Sequence, residues 1–514
     1  MTDRPNILFI VSDQHNAKVL GHKGHPDVQT PNLDRLAAEG ARFDNAITQN
    51  PICTPSRVSF LSGQYCHNHG YYGLCGPRPV GPTGGLPNVL GHFRRHGYTT
   101  AAVGKIHCPE YWIEDAADFF RESTNCSIGG NPEYQQYLRE KGVWDAWDHS
   151  ERRRGPYGQC MDGFPSEQTY RDSPEGWCVT ESTGFMRRAA ESGRPFFAHV
   201  SLPKPHEVYC PAPEFWEMYD PESLHLPPNA DYDVAEGRKA PTLRKTREGW
   251  LKGHWTEYEP RTYEGGRLRK FRGYLGCVTH VDFAVGELLA FLDEAGLADD
   301  TIVVYTSDHG DYACEHGIIE KAPGICADAI TRVPLLWRWP GRVTAGHVAE
   351  SLAELVDLPT TLCALAGLSA METADGRDLS ALLAGGREPV RDIAVTEFPW
   401  SRSVRKGNWR LVWYPRQMFA DEYPDGFGEL YDLDADPWEM RNRWFDPDCR
   451  DRVAELTADL LDWLITTTRP TTVLKACDAA GPQWIKRYGN AVLPDGKVDP
   501  GKVREAFDAF GNYA

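Results

Sequence analysis

Asn6-Ile7-Leu8-Phe9-Ile10-Val11-Ser12, running into Asp13 and Gln14, is a short and nearly continuous apolar run that ends in polar groups. Alternation of apolar and polar residues marks a strand with one wet face. Continuity marks a strand covered on both faces, as in the parallel sheet of an α/β protein. Such sheets carry their chemistry at the carboxyl ends of the strands, which is where Asp13 and Gln14 fall. A second run of the same kind, Thr301 to Thr306 (TIVVYT), ends in Ser307-Asp308-His309. Two predicted strands thus both end in groups able to hold a metal ion. Thr30-Pro31 followed by Leu33, Leu36 and Ala37, then Gly40, predicts a helix with an N-cap, a proline at N1 and a C′ glycine. Val281, Val285, Leu288, Leu289 and Leu292 predict another.

The 514 residues allow roughly three units at about 150 residues each, or one large α/β domain with an appendage. The pattern changes near residue 385. Residues 1–385 read as the α/β domain, with a long irregular insertion over about 108–193 that is rich in Trp, Tyr, Arg and Glu. Over 386–470, Ile393 to Glu397, Trp409 to Tyr414 and Glu429 to Leu433 predict a small antiparallel sheet, with a helix near Ala454 to Leu464. The tail, 471–514, has no strong core pattern and is expected to cover a pocket or join subunits.

Hydrophobic residues at 41% and charged residues at 25% are globular values, which excludes disorder, collagen and coiled coil. The net charge of −18 opposes binding to a polyphosphate backbone, so no nucleic-acid partner is expected, while a small anionic substrate in a basic pocket stays compatible. No run reaches about 18 apolar residues, and Met1 to Pro5 leads into the first strand without a basic signal segment. Neither a membrane span nor export is expected. Fourteen cysteines without a CxxC pair read as reduced thiols, and a cytoplasmic location follows as the expectation. Of the 16 Trp, Trp112, Trp144, Trp147 and Trp177 could form a stacking wall or cation cage, or serve as ordinary core.

Cys53-Thr54-Pro55-Ser56-Arg57, followed by Val58, Phe60, Leu61 and Gly63, predicts a helix with Cys53 at its start. Free N–H groups and the helix dipole favour an anion there and acidify a thiol. By itself this is a candidate anion site or a buried structural cysteine. The motif resembles the C-x-P-S-R signature of type I sulfatases. Gly97-Tyr98-Thr99-Thr100-Ala101-Ala102-Val103-Gly104-Lys105-Ile106-His107 resembles their second signature. The resemblance extends to Asp13, Lys204-Pro205-His206, Asp308-His309, Lys321 and Glu429 to Leu433, over about residues 1 to 470. Asp13-Gln14 with Asp308-His309 resembles the choline sulfatase and phosphonate monoester hydrolase branches.

The resemblance implies an α/β fold like alkaline phosphatase: a central mixed sheet between helices, and a smaller C-terminal antiparallel sheet. It implies that a formylglycine-generating enzyme oxidises Cys53 to Cα-formylglycine. One divalent cation, Ca²⁺ or Mn²⁺, would be held by Asp13, Asp308, His309 and residue 53, with Gln14 as a ligand or a neighbour. The expected reaction is hydrolysis of a small sulfate monoester, with a phosphonate monoester or phosphodiester hydrolase as the rival and an inactive sulfate-binding relative as the third reading. A hydroxyl of the hydrated aldehyde attacks sulfur, with Asp308 as proton acceptor. Arg57, Lys105 and Lys321 clamp the oxygens, His206 protonates the leaving oxygen, and His107 triggers release of sulfate. A dimer or tetramer is also expected. His67, Asn68 and His69 line the pocket or serve helix capping and packing, and His15 and Asn16 lie near Gln14.

Overall fold

The computed structural model describes residues 4–74, 86–109, 111–123, 132–145, 163–252, 263–321 and 325–468. Its strands in chain order are β1 Asn6–Asp13, β2 Ala41–Phe43, β3 Ala46–Ile47, β4 Thr99–Gly104, β5 Phe119–Glu122, β6 Phe196–Pro205, β7 Thr301–Ser307 and β8 Arg332–Val333. They continue with β9 Leu335–Arg338, β10 His347–Ala349, β11 Ala353–Glu354, β12 Ile393–Phe398, β13 Ser401–Lys406, β14 Trp409–Trp413 and β15 Gly428–Asp432. One mixed sheet has the order β10-β2-β9-β7-β1-β6-β4-β5. Its heart, from β7 through β1, β6 and β4 to β5, is parallel, and β9 reverses against β7. Strands β12 to β15 form a separate antiparallel sheet in sequential order. This is the mixed α/β architecture with a small C-terminal sheet that the sequence predicts.

The continuity of β1 is explained by its two covered faces. Ile7, Phe9 and Val11 pack with Val58, Phe60 and Leu61 of helix Cys53–Ser62. Leu8 and Ile10 pack on the other side with Leu33 and Leu36 of helix Pro31–Glu39 and with Val281, Val285 and Leu288 of helix Tyr263–Glu294. Each such side chain gains roughly 1.5–3 kcal/mol on burial, before conformational entropy is charged against it. Helix Tyr263–Glu294 contains a stretch long and apolar enough to cross a bilayer, and most of that stretch is buried against the protein itself.

Three local expectations are corrected. Thr30 does not cap helix Pro31–Glu39 with its side chain, whose oxygen instead accepts from the Gly21 N–H. The helix N–H groups of Asn32 and Leu33 donate to the carboxylate of Asp282, so a neighbouring helix supplies the cap. Gly40 is extended (φ −139°, ψ −150°), not left-handed. It is needed for close approach, because a Cβ there would sit 1.9 Å from the carbonyl oxygen of Trp337. Finally, 108–193 is not irregular throughout: β5 lies in the main sheet, and Pro174–Glu191 is an 18-residue helix packed on β6. Ser173 caps that helix by accepting from the Gly176 N–H.

The three of these tryptophans that lie among the described residues form no common wall. Trp112 is buried on one face of the sheet and donates from Nε1 to the Leu86 carbonyl. Trp177 is buried on the opposite face, and Trp144 packs at that same face with the Arg139 guanidinium 3.9 Å from its ring centre. Trp147 and the tail 471–514 lie outside the described residues. Among the described residues, Cys53, Cys66, Cys178, Cys277, Cys326, Cys363 and Cys449 are thiols outside any disulfide.

Candidate active site

The parallel strands β7, β1, β6 and β4 are consecutive neighbours, and each delivers a candidate residue at its carboxyl end: Asp308-His309, Asp13-Gln14, His206 and Lys105. The sheet therefore gathers residues 13, 105, 206 and 308 side by side although they are far apart in the chain. Gly104, the last residue of β4, has φ +106°, and a Cβ on it would lie 1.9 Å from the Ser201 carbonyl oxygen. Only glycine fits, and the tight β4–β6 approach sets where Lys105 begins.

Helix Cys53–Ser62 points its N-terminus into this row and ends at left-handed Gly63, as its sequence predicts. Cys53 Sγ lies 3.2 Å from His309 Nε2, 3.9 Å from Asp13 Oδ1 and 3.9 Å from Lys105 Nζ. One potential ligand atom from each of Asp13, Cys53, Asp308 and His309 falls within 4.8 Å of the others, and all four residues are buried. His309 Nδ1 is 2.9 Å from the Gly310 carbonyl, which assigns the proton to Nδ1 and leaves Nε2 free to coordinate. Two carboxylates, an imidazole nitrogen and the group at residue 53 fit a hard or borderline divalent cation.

Arg57 ties the site together. Its Nε donates to Asp308 Oδ2 at 2.9 Å and its Nη2 to Asp13 Oδ2 at 2.9 Å. Its Nη1 donates to the Lys105 carbonyl and to Ser201 Oγ. Lys105 Nζ completes the arrangement 2.5 Å from Asp13 Oδ2. Burial works to raise the Asp13 pKa, but Lys105, His206 and Arg57 hold it far below the usual carboxylate range. Burial likewise raises the Cys53 thiol, and Lys105, Lys321 and His309 more than reverse it. Burial lowers the His107 pKa, opposed by a hydrogen bond and the charge of Cys53.

His206 Nε2 is 3.1 Å from Lys321 Nζ and 4.0 Å from Asp13 Oδ1. Burial disfavours the Lys321 ammonium, yet the negative charge of Cys53, Glu207 and Asp13 keeps it protonated. Gln14 donates its backbone N–H to Asp308 Oδ1, while its side chain lies between Lys321 and Asp311. Asp311 is a residue that sequence reasoning missed, although it follows two positions after His309 at the same strand end. His67 and His69 are engaged in packing contacts, with Glu397 and Ser59 respectively. Asn68 bonds Asp375, and His15 bonds Tyr305 and Val19.

The sequence matches the family model described as Sulfatase over residues 5–368, and one described as N-sulphoglucosamine sulphohydrolase, C-terminal, over 314–465. It is 27% identical to an arylsulfatase of Clostridium perfringens, covering 89% of this chain and 94% of that protein. It is 29% identical to a choline-sulfatase of Rhizobium meliloti, covering 86% and 82%. Among solved structures, a phosphonate monoester hydrolase from Silicibacter pomeroyi superposes with a TM-score of 0.75 at 23% identity, covering 97% of this chain and 99% of that one. The extent of the first match makes this chain a member of the sulfatase family, sulfuric ester hydrolases of the alkaline phosphatase superfamily.

Proposed function

We propose that this protein hydrolyses a small sulfate monoester to an alcohol and inorganic sulfate, using Cys53 in its formylglycine form and one divalent cation. The observation that carries the reading is the convergence of Asp13, residue 53, Asp308 and His309 inside a cradle of Lys105, Lys321, His206 and His107. Asp13, Asp308, His309 and residue 53 would hold the cation, and Gln14 would sit beside it. When bound, the cation supplies Lewis acidity at residue 53 and at the ester oxygens. Oxidised and hydrated, residue 53 would supply a hydroxyl of its geminal diol as the nucleophile.

The remaining groups belong to the chain as it stands. Arg57 fixes Asp13 and Asp308 and keeps residue 53 aligned at the helix start. Lys105 and Lys321 place ammonium groups where the ester oxygens gain charge. Asp308 accepts the nucleophile's proton, His206 together with the Lys321 ammonium that donates to its Nε2 protonates the leaving oxygen, and His107 accepts a proton from residue 53 when sulfate is released. Supporting self-association are the family resemblance and the long 471–514 tail, and sedimentation velocity tests for a dimer or tetramer.

A phosphonate monoester hydrolase is the second reading, favoured by the Asp308-His309 pair in this pocket. Parallel rates on 4-nitrophenyl sulfate and phenyl 4-nitrophenylphosphonate, with mass spectrometry of the Cys53 peptide, test both. The sulfate ester should be preferred and residue 53 should carry the aldehyde. A phosphonate preference of several orders of magnitude would reverse the ranking, and an unmodified thiol in native material would favour a sulfate-binding role.

A further inference from the structure

We infer that Asp311 is a positioning residue that sets the amide orientation of Gln14, and through it the placement of the Lys321 ammonium. This rests on the sulfate ester reading above. Asp311 is fully buried and surrounded by donors. Its Oδ1 accepts from the backbone N–H of Ala313 at 2.6 Å and of Glu320 at 2.9 Å. Its Oδ2 accepts from Tyr209 OH at 2.8 Å and from Gln14 Nε2 at 2.6 Å. Burial raises the Asp311 pKa, and the hydrogen bonds from Ala313, Gln14, Tyr209 and Glu320 oppose that rise.

An amide has one donor end and one acceptor end. Because Asp311 takes the Gln14 Nε2, the Gln14 Oε1 faces the opposite way, where it accepts from Lys321 Nζ at 2.5 Å. The reverse orientation would set two donors against each other at Lys321 and two acceptors at Asp311. Asp311 also holds the backbone N–H of Glu320, the residue before Lys321. Lys321 is thus fastened from its main chain and from its ammonium by the same carboxylate. The ammonium in turn donates to Nε2 of His206, with which it would protonate the leaving group.

Polarity gives the test a signature that packing alone does not. In Asp311→Asn the two backbone donors retain the amide oxygen, so its NH₂ faces Gln14. Gln14 must then flip and present a donor to Lys321. In Gln14→Glu alone, a carboxylate faces the Asp311 carboxylate. In the double variant Asp311→Asn with Gln14→Glu, the new carboxylate accepts from both neighbours and Lys321 regains its partner.

The experiment uses the full chain, with formylglycine content normalised by mass spectrometry. It reads kcat and KM for 4-nitrophenyl sulfate, and Kd for inorganic sulfate by calorimetry. Each single variant should lose about 10- to 100-fold in kcat, the worth of one charge-assisted hydrogen bond, and bind sulfate more weakly. The double variant should recover to within about fivefold of wild type in both readouts. A double variant no better than the worse single, or Asp311→Asn within about twofold of wild type, overturns the inference. If wild-type enzyme turns over neither sulfate nor phosphonate ester, the proposed function fails, and the sulfate affinities of the same variants still decide this point. If Asp311→Asn does not fold by circular dichroism, Gln14→Met carries the test: the same loss supports the inference and retained activity overturns it.

Discussion

Arg57 uses hydrogen bonds to Asp308, Asp13, the Lys105 carbonyl and Ser201 to brace the site. Lysine keeps the charge but has one compact head, and it cannot bridge both carboxylates from the same helix turn. Arg57→Lys is expected to lower kcat by about 10²-fold or more with little change in overall fold, checked by steady-state kinetics alongside circular dichroism. His206 makes a different prediction, because protonating a leaving group matters only when that group is a poor one. His206→Ala should cost about 10²- to 10⁴-fold on an alkyl sulfate and far less on 4-nitrophenyl sulfate, whose phenolate departs without help. Equal losses on the two esters would remove His206 from the acid role.

Among the elements, β1 carries the most. Phe9 is fully buried and meets Phe60 edge-on with ring centres 5.7 Å apart. Phe9→Ala should destabilise the protein by about 3–5 kcal/mol in urea unfolding. Glu397, near the end of β12, ties the C-terminal sheet to the segment after helix Cys53–Ser62 through His67 and Tyr72, and pairs with Arg402 on the neighbouring strand β13. Burial alone would raise its pKa, but His67 and Arg402 hold it down to about 2. A carboxyl depressed in the folded state contributes stability above its ordinary value of 4.5, and that contribution is lost as pH falls toward about 2. Glu397→Gln should therefore remove about 3 kcal/mol at neutral pH and flatten the acid side of the stability profile.

The same elements show what the sequence alone could disclose. β1 and β7 were legible because burial on both faces leaves an unbroken apolar run, and Cys53, Lys105 and Asp308 were legible because short motifs mark strand and helix ends. β13 (SRSVRK) was not, since Arg402 and Arg405 look like surface residues until their partners Glu397 and Asp328 are in place. Helix Pro174–Glu191 was missed because two glycines and several hydroxyl residues blur its stripe, although Ser173-Pro174 is a start signal. Asp311 was missed because its role depends on which end of the Gln14 amide it takes, a contact across 297 residues of chain.

For the whole molecule, a cation held by Asp13, Asp308 and His309 would couple folding to metal binding. Removing metal with a chelator should abolish turnover and lower Tm. At 100 times Kd, a restored ion should return about 2.7 kcal/mol of stability, read by thermal unfolding across a Ca²⁺ and Mn²⁺ titration. An unchanged rate after verified removal would count against a cation-dependent site. The candidate catalytic residues are gathered at the carboxyl edge of the central sheet, and among the described residues none of them lies at the opposite rim. There the turns at Gly193-Arg194 and Gly296 are exposed, and neither glycine has an atom within 4 Å of where a side chain would start. Tags, tethers to a solid support or grafted loops fit at those turns, on the far side of the sheet from the pocket.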